Sequence, residues 1–70
     1  MLHTVEARFS EEHFRDFIGR VRRWMDSQNA HPTTFRYWLY EPETLVRVNF
    51  ESKEQATAFA EAFGGIVISL

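Results

Sequence analysis

The chain has 70 residues, a formal charge of -2 and no cysteine, with 44% hydrophobic and 16% aromatic residues. That length holds one domain spanning residues 1–70 and buries only about 60% of the unfolded surface, so each large aromatic side chain matters to the core. The missing thiol removes disulfides, iron–sulfur ligation and thiol chemistry and makes a reducing cytoplasm the expected compartment, while the slight acidity argues against general attraction to nucleic acid or anionic lipid.

The amino terminus alternates polar and apolar residues, so no signal peptide or membrane span is expected there. Val5, Ala7 and Phe9 alternate with Thr4, Glu6 and Arg8, the period of a strand with one wet face. Ser10 is a good N-cap, Glu11 and Glu12 suit the positive end of a helix, and Phe14, Phe17, Ile18, Val21, Trp24 and Met25 recur at helical spacing. Gly19 falls on the outer side of this helix, where it costs about 1 kcal/mol relative to alanine. Asn29 to Pro32 ends the helix, because asparagine tolerates the left-handed region and the residue before proline prefers extended geometry.

A hairpin follows, turning at Glu41 to Thr44 with Pro42 in the second position of a type I turn. The alternation pairs Phe35 with Phe50, Tyr37 with Val48 and Leu39 with Val46 as an apolar set. Arg36, Trp38 and Tyr40 then face Asn49, Arg47 and Leu45, and a one-residue slip would mix the two faces. A second helix starts at Ser52, with Gln55 completing a capping box, turns Ala56, Phe59, Ala60 and Phe63 inward and stops at Gly64 and Gly65. Ile66 to Leu70 reads as a fourth strand.

The order βαββαβ predicts an α+β sandwich, a four-stranded antiparallel sheet in the order 4-1-3-2 with two helices on one face. It resembles the ferredoxin-like, split βαβ superfamily of small domains. The open face of such a sheet presents Thr4, Glu6 and Arg8, Leu45, Arg47 and Asn49, Arg36, Trp38 and Tyr40, with Val67 and Ser69 from strand 4.

Leu45 to Gly65, LVRVNFESKEQATAFAEAFGG, is similar to the third strand and second helix of an RNA-recognition motif. That family stacks bases on two aromatic rings of the third strand. Leu45 and Arg47 occupy those positions here, and Thr4, Glu6 and Arg8 stand where strand 1 would carry a further ring. The resemblance therefore implies fold more than base stacking. The Ser10–Glu11–Glu12 loop likewise lacks the glycine or basic residues with which related domains hold phosphate or amino acids. His3, His13 and His31 have no zinc spacing and read as surface or capping residues, so no metal and no cofactor is expected.

Two features remain. Arginine dominates the cations, with Arg15, Arg20, Arg22 and Arg23 on helix 1 and Arg8, Arg36 and Arg47 on the open face, against a single lysine, Lys53. Internal partners account for much of this charge: Glu6 beside Arg8 and Arg47, Asp16 four residues before Arg20, and Trp38 facing Arg47. The second feature is unprotected apolar surface. Strand 4 carries neither charge nor proline in Ile66 to Leu70, and Trp38, Tyr40 and Leu45 form an apolar corner that a monomer would leave wet.

The leading expectation is a soluble, non-catalytic module that forms a homodimer through Ile66 to Ile68 or through Trp38, Tyr40 and Leu45. One alternative is a binder of single-stranded nucleic acid or an anionic ligand that uses Arg8, Arg36 and Arg47 with Trp38 as a stacking group. Another is a small enzyme of the dimeric α+β barrel type, with His13, Tyr37 and Trp24 around a pocket between sheet and helices.

Overall fold

The computed structural model describes residues 2–40 and 42–68, apart from the side chain of Glu11. The elements are β1 (His3–Ser10), α1 (Glu11–Gln28), β2 (Thr34–Tyr40), β3 (Glu43–Phe50), α2 (Lys53–Phe63) and β4 (Ile66–Val67). The four strands form one antiparallel sheet in the order β2-β3-β1-β4, which is the expected order read from the other edge. Alternation decides the faces. Val5 and Ala7 from β1 and Val46, Val48 and Phe50 from β3 are buried, and Phe17 and Val21 from α1 and Ala56 and Phe59 from α2 close over them.

The core is aromatic. Phe9 lies over Phe17 with centroids 3.9 Å apart, Phe63 meets Phe17 edge-on at 5.6 Å, and Trp24 meets Phe59 edge-on at 5.6 Å. Large rings thus bridge α1 to α2 and to the sheet, each pair contributing about 0.5–1.5 kcal/mol beyond its buried area.

Both helices end as the sequence predicts. Asn29 takes the left-handed conformation (φ 51°), and the N–H of Ala30 bonds to the Met25 carbonyl at 2.9 Å while Ala30 itself is buried. Gly64 (φ 72°) does the same for α2, with the Gly65 N–H on the Ala60 carbonyl at 2.9 Å. Each is a Schellman closure, in which a left-handed residue lets the next N–H reach back to an orphan carbonyl. The helix starts differ from expectation. Ser52 accepts the Gln55 N–H at 3.2 Å but donates to the Glu54 carboxylate at 3.1 Å, so only half of the capping box forms among the described residues. Ser10 sits at the N-cap of α1 without capping through its side chain, because its hydroxyl bonds to His13 Nδ1 at 2.7 Å.

Three further expectations are corrected. The hairpin register is displaced by two residues: Phe35 pairs with Val48, Tyr37 with Val46, Trp38 with Leu45, and Tyr40 with Glu43. Only residues 41 and 42 then separate the strands, so Pro42 falls one place later in the turn, and Glu41 lies outside the described residues. A two-residue displacement keeps every side chain on its own face, which is why the facial assignment survives. Second, β4 is two residues long and places Val67 opposite Val5 and Ile66 opposite Glu6. Val67 therefore turns to the helix side and Ile66 to the open face; the expected strand residues Ser69 and Leu70 lie outside the described residues.

Third, Tyr37 and Leu39, expected in the apolar set, are exposed although they occupy the helix side of the sheet. The helix backbones pack over β1 and β3, and neither lies close against β2, so α1 reaches that strand only through side chains, Phe17 toward Phe35 and Phe14 toward Tyr37, and leaves Leu39 open.

Candidate functional site

Four cross-sheet rows make up the open face. Thr34, Asn49 and Thr4 form the first, joined by hydrogen bonds from Asn49 Nδ2 to Thr34 Oγ1 at 2.7 Å and from Thr4 Oγ1 to Asn49 Oδ1 at 2.5 Å. The second runs Arg36, Arg47, Glu6 and Ile66. Arg47 reaches Glu6 Oε2 through both Nε and Nη2 at 3.1 Å and lies 5.8 Å from the Trp38 ring centroid. An exposed ion pair of this kind contributes about 0–1 kcal/mol, so it fixes the guanidinium more than it stabilises the fold. Trp38, Leu45 and Arg8 form the third row, and Tyr40, Glu43 and Ser10 the fourth.

The expected partners are thus only partly in place. Glu6 takes Arg47, and Trp38 meets Arg47 diagonally rather than directly across the strands. Among the described residues no carboxylate pairs with Arg8 or Arg36, and Asp16 does not reach Arg20. Arg36 stands opposite Arg47, a like-charge pair that costs energy unless something anionic or aromatic comes between or beside them. Both arginines line a recess of about 380 Å³ with Trp38, Thr4, Thr34 and Asn49, while Arg8 lines another of about 230 Å³ with Tyr40 and Leu45.

The predicted apolar corner exists. Trp38 packs beside Leu45, and Tyr40, 62% exposed, continues it toward the hairpin end. Ile66, Val67 and Ile68 are exposed at the opposite edge, where the Ile68 N–H extends the β4 pairing by bonding to the Thr4 carbonyl at 2.7 Å. Gly65 secures that attachment: a Cβ there would lie 2.8 Å from Val5 Cγ1 and 3.0 Å from the Glu6 carbonyl, so any larger residue forces β1 or the closing segment to shift.

Sequence reasoning missed the helix side of β2. Tyr37 is 53% and Leu39 69% exposed there, and a groove of about 540 Å³ runs alongside, lined by Ile18, Val21, Arg22, Met25 and Asp26 of α1 with Pro32, Phe35 and Tyr37. Tyr37 rests on Phe14, with centroids 5.1 Å apart, and is half exposed. A signal was present. Tyr37, Trp38, Leu39 and Tyr40 are consecutive apolar residues, a pattern proper to strands covered on both faces, and yet β2 is the outermost strand of an open sheet.

The residues of the enzyme reading do not converge. Tyr37 faces the groove, Trp24 is packed against Phe59 and Phe63, and His13 lies on the outer side of α1 with Asp16, Arg20 and Arg23. The structure does join Ser10 to His13, a contact not foreseen, but on an exposed helix start. His3 and His31 stand elsewhere, and among the described residues no group of three His, Asp or Glu side chains is placed to hold a metal ion. No described helix is long and apolar enough to cross a membrane. Comparison with protein-family models, curated proteins and solved structures finds no match.

Proposed function

We propose that this chain is a non-catalytic self-association module of the ferredoxin-like type, which forms a homodimer through its β2 edge. The observation that carries the reading is the run Tyr37–Leu39–Tyr40 with Trp38: four adjacent large side chains, all exposed, on a seven-residue outer strand without proline or lysine. Outer strands that stay monomeric are normally short, charged or covered, because their unpaired N–H and C=O groups template pairing with another chain. Arg36 is the one charged residue of β2, and it points to the open face rather than along the edge. A second copy would remove apolar surface from water and satisfy the free backbone groups together, a useful supplement to a core of this size. Light scattering across a concentration series tests it: the 8.3 kDa chain doubles its mass as concentration rises, and Leu39→Lys abolishes the increase. A mass that stays monomeric in the unmodified protein contradicts the reading.

One observation favours a second function on the other side of the sheet. Arg36 and Arg47, adjacent across the strands and with Arg47 alone of the two on a carboxylate among the described residues, border the recess that also holds Trp38, a pairing of charge and ring suited to an anionic ligand or a single-stranded nucleic acid. Binding of this kind weakens steeply with salt and moves the NMR signals of Arg36 and Trp38. Titration with a single-stranded oligonucleotide that leaves those signals unmoved at low salt eliminates it.

A further inference from the structure

Resting on the self-association reading, we propose a specific geometry for the pair: two β2 strands run antiparallel about a two-fold axis through Tyr37, and each copy seats its Leu39 in the other's groove between α1 and β2. Three observations converge on this register.

Backbone bonding comes first. Tyr40 and Glu43 close the hairpin, and ladder bonds in an antiparallel pair alternate along each strand. With Tyr40 bonded inward to β3, Trp38, Arg36 and Thr34 are bonded inward too, and the N–H and C=O groups of Phe35, Tyr37 and Leu39 point outward. An axis through Tyr37 matches all three sets: Tyr37 with the partner's Tyr37, Phe35 with the partner's Leu39, and Leu39 with the partner's Phe35. It also engages all seven residues Thr34–Tyr40, whereas an axis at Phe35 or Leu39 runs part of the strand past the partner's end.

Shape comes second. Leu39 is the most exposed large apolar residue of the described chain at 69%, and the pairing sets it opposite Phe35, which lines the groove with Ile18, Val21, Met25 and Pro32. A knob without a socket and a mainly apolar socket without a knob, its lining completed by Arg22 and Asp26, occupy the same strand, four residues apart and on the same face. Only a two-fold pairing fills both. At the axis the two Tyr37 rings meet, each already backed by Phe14.

Charge comes third. On the open face the same register puts Arg36 beside the partner's Trp38, and the converse. The guanidinium that lies opposite Arg47 without a carboxylate partner among the described residues thereby gains an aromatic face, and each Trp38 ring is flanked by two guanidinium groups. An axis through Arg36 would instead oppose two like charges, and one through Trp38 would place Leu39 against the partner's Tyr37, away from the groove.

The chain has no cysteine, so single substitutions give an unambiguous crosslinking readout. Phe35→Cys, Arg36→Cys, Tyr37→Cys, Trp38→Cys and Leu39→Cys are each oxidised at a concentration where the unmodified chain is dimeric. A residue on the axis faces its own copy at about 5.5 Å between Cα atoms, within disulfide range, and the others do not. Tyr37→Cys is expected to form the covalent dimer while the other four stay largely reduced. Because a substitution at β2 can itself weaken the pair, the unmodified protein provides the second test: a mixture of isotope-labelled and unlabelled chains should show intermolecular NOEs from Leu39 methyl groups to Met25 and Phe35. Preferential crosslinking at another position, or a dimer without those NOEs, overturns the register and leaves self-association standing. A chain that stays at monomer mass throughout overturns both.

Discussion

The two outer strands of the sheet are both apolar and both lack proline and lysine, yet they differ in what they offer a partner. β4 is two residues long, is drawn onto β1 by the close approach of Gly65, and turns Val67 back toward the helices. β2 is seven residues long, lies beyond the helix backbones, and has exposed apolar groups on both of its faces. Shortness blunts an edge, and among the described residues β4 offers too few free backbone groups to hold a second strand in register. The difference teaches that sequence hydrophobicity marks both strands, while length and helical cover decide which of them is left open to a second strand.

Charging each edge in turn separates them most strongly. Leu39→Lys places an ammonium where the proposed pair seats an apolar knob, and its cost to association is expected to be at least about 2 kcal/mol, roughly thirtyfold in dissociation constant. Val67→Lys at β4 should leave the molecular mass unchanged, and a mass that falls with Val67→Lys but not with Leu39→Lys would reverse the comparison. Gly65→Ala acts on the fold instead. The added methyl group meets Val5 and the Glu6 carbonyl, so thermal or urea unfolding should show a loss of about 1–3 kcal/mol, with the dimer of the folded fraction intact.

Smaller effects sharpen the contrast by leaving both edges alone. Gly19 lies inside α1, and a Cβ there would sit an ordinary 3.7 Å from the Arg23 guanidinium. Gly19→Ala should therefore raise stability by about 0.5–1 kcal/mol through helix propensity without altering the mass; an unchanged or lower stability would show that this glycine has a structural purpose. The smallest effect concerns pH. The Glu54 carboxyl, at the start of α2, is held below its usual range by its own backbone N–H and then by the Ser52 hydroxyl. Its folded value lies below the unfolded one, so the stabilisation is complete above the ordinary carboxylate range and is lost as pH falls through the folded value. Glu54→Gln should flatten the acid limb of the stability curve slightly, as followed by circular dichroism.

Much of the fold was legible because period and punctuation agree. Phe14 to Met25 at helical spacing, the left-handed Asn29 and Gly64, and the alternation of β1 and β3 all appear where the residues place them. The hairpin register was not legible, since displacing it by two residues leaves every side chain on its face and only the turn distinguishes the options. Nor was the exposure of Tyr37 and Leu39: alternation tells which side of a sheet a residue faces, and the reach of α1 tells whether anything lies over it. The corner of Trp38, Tyr40 and Leu45 was visible in the sequence, whereas the groove beside Phe35 depends on how α1 and Pro32 pack around it.

Sedimentation equilibrium of the unmodified chain beside Leu39→Lys, from low micromolar to near millimolar concentration, is the most direct test of an adhesive β2. Self-association through this strand requires the unmodified protein to climb from 8.3 kDa toward twice that mass while the variant stays at the lower value. If the unmodified chain holds the monomer mass across the range, or if both proteins climb alike, β2 is not the surface that joins two copies.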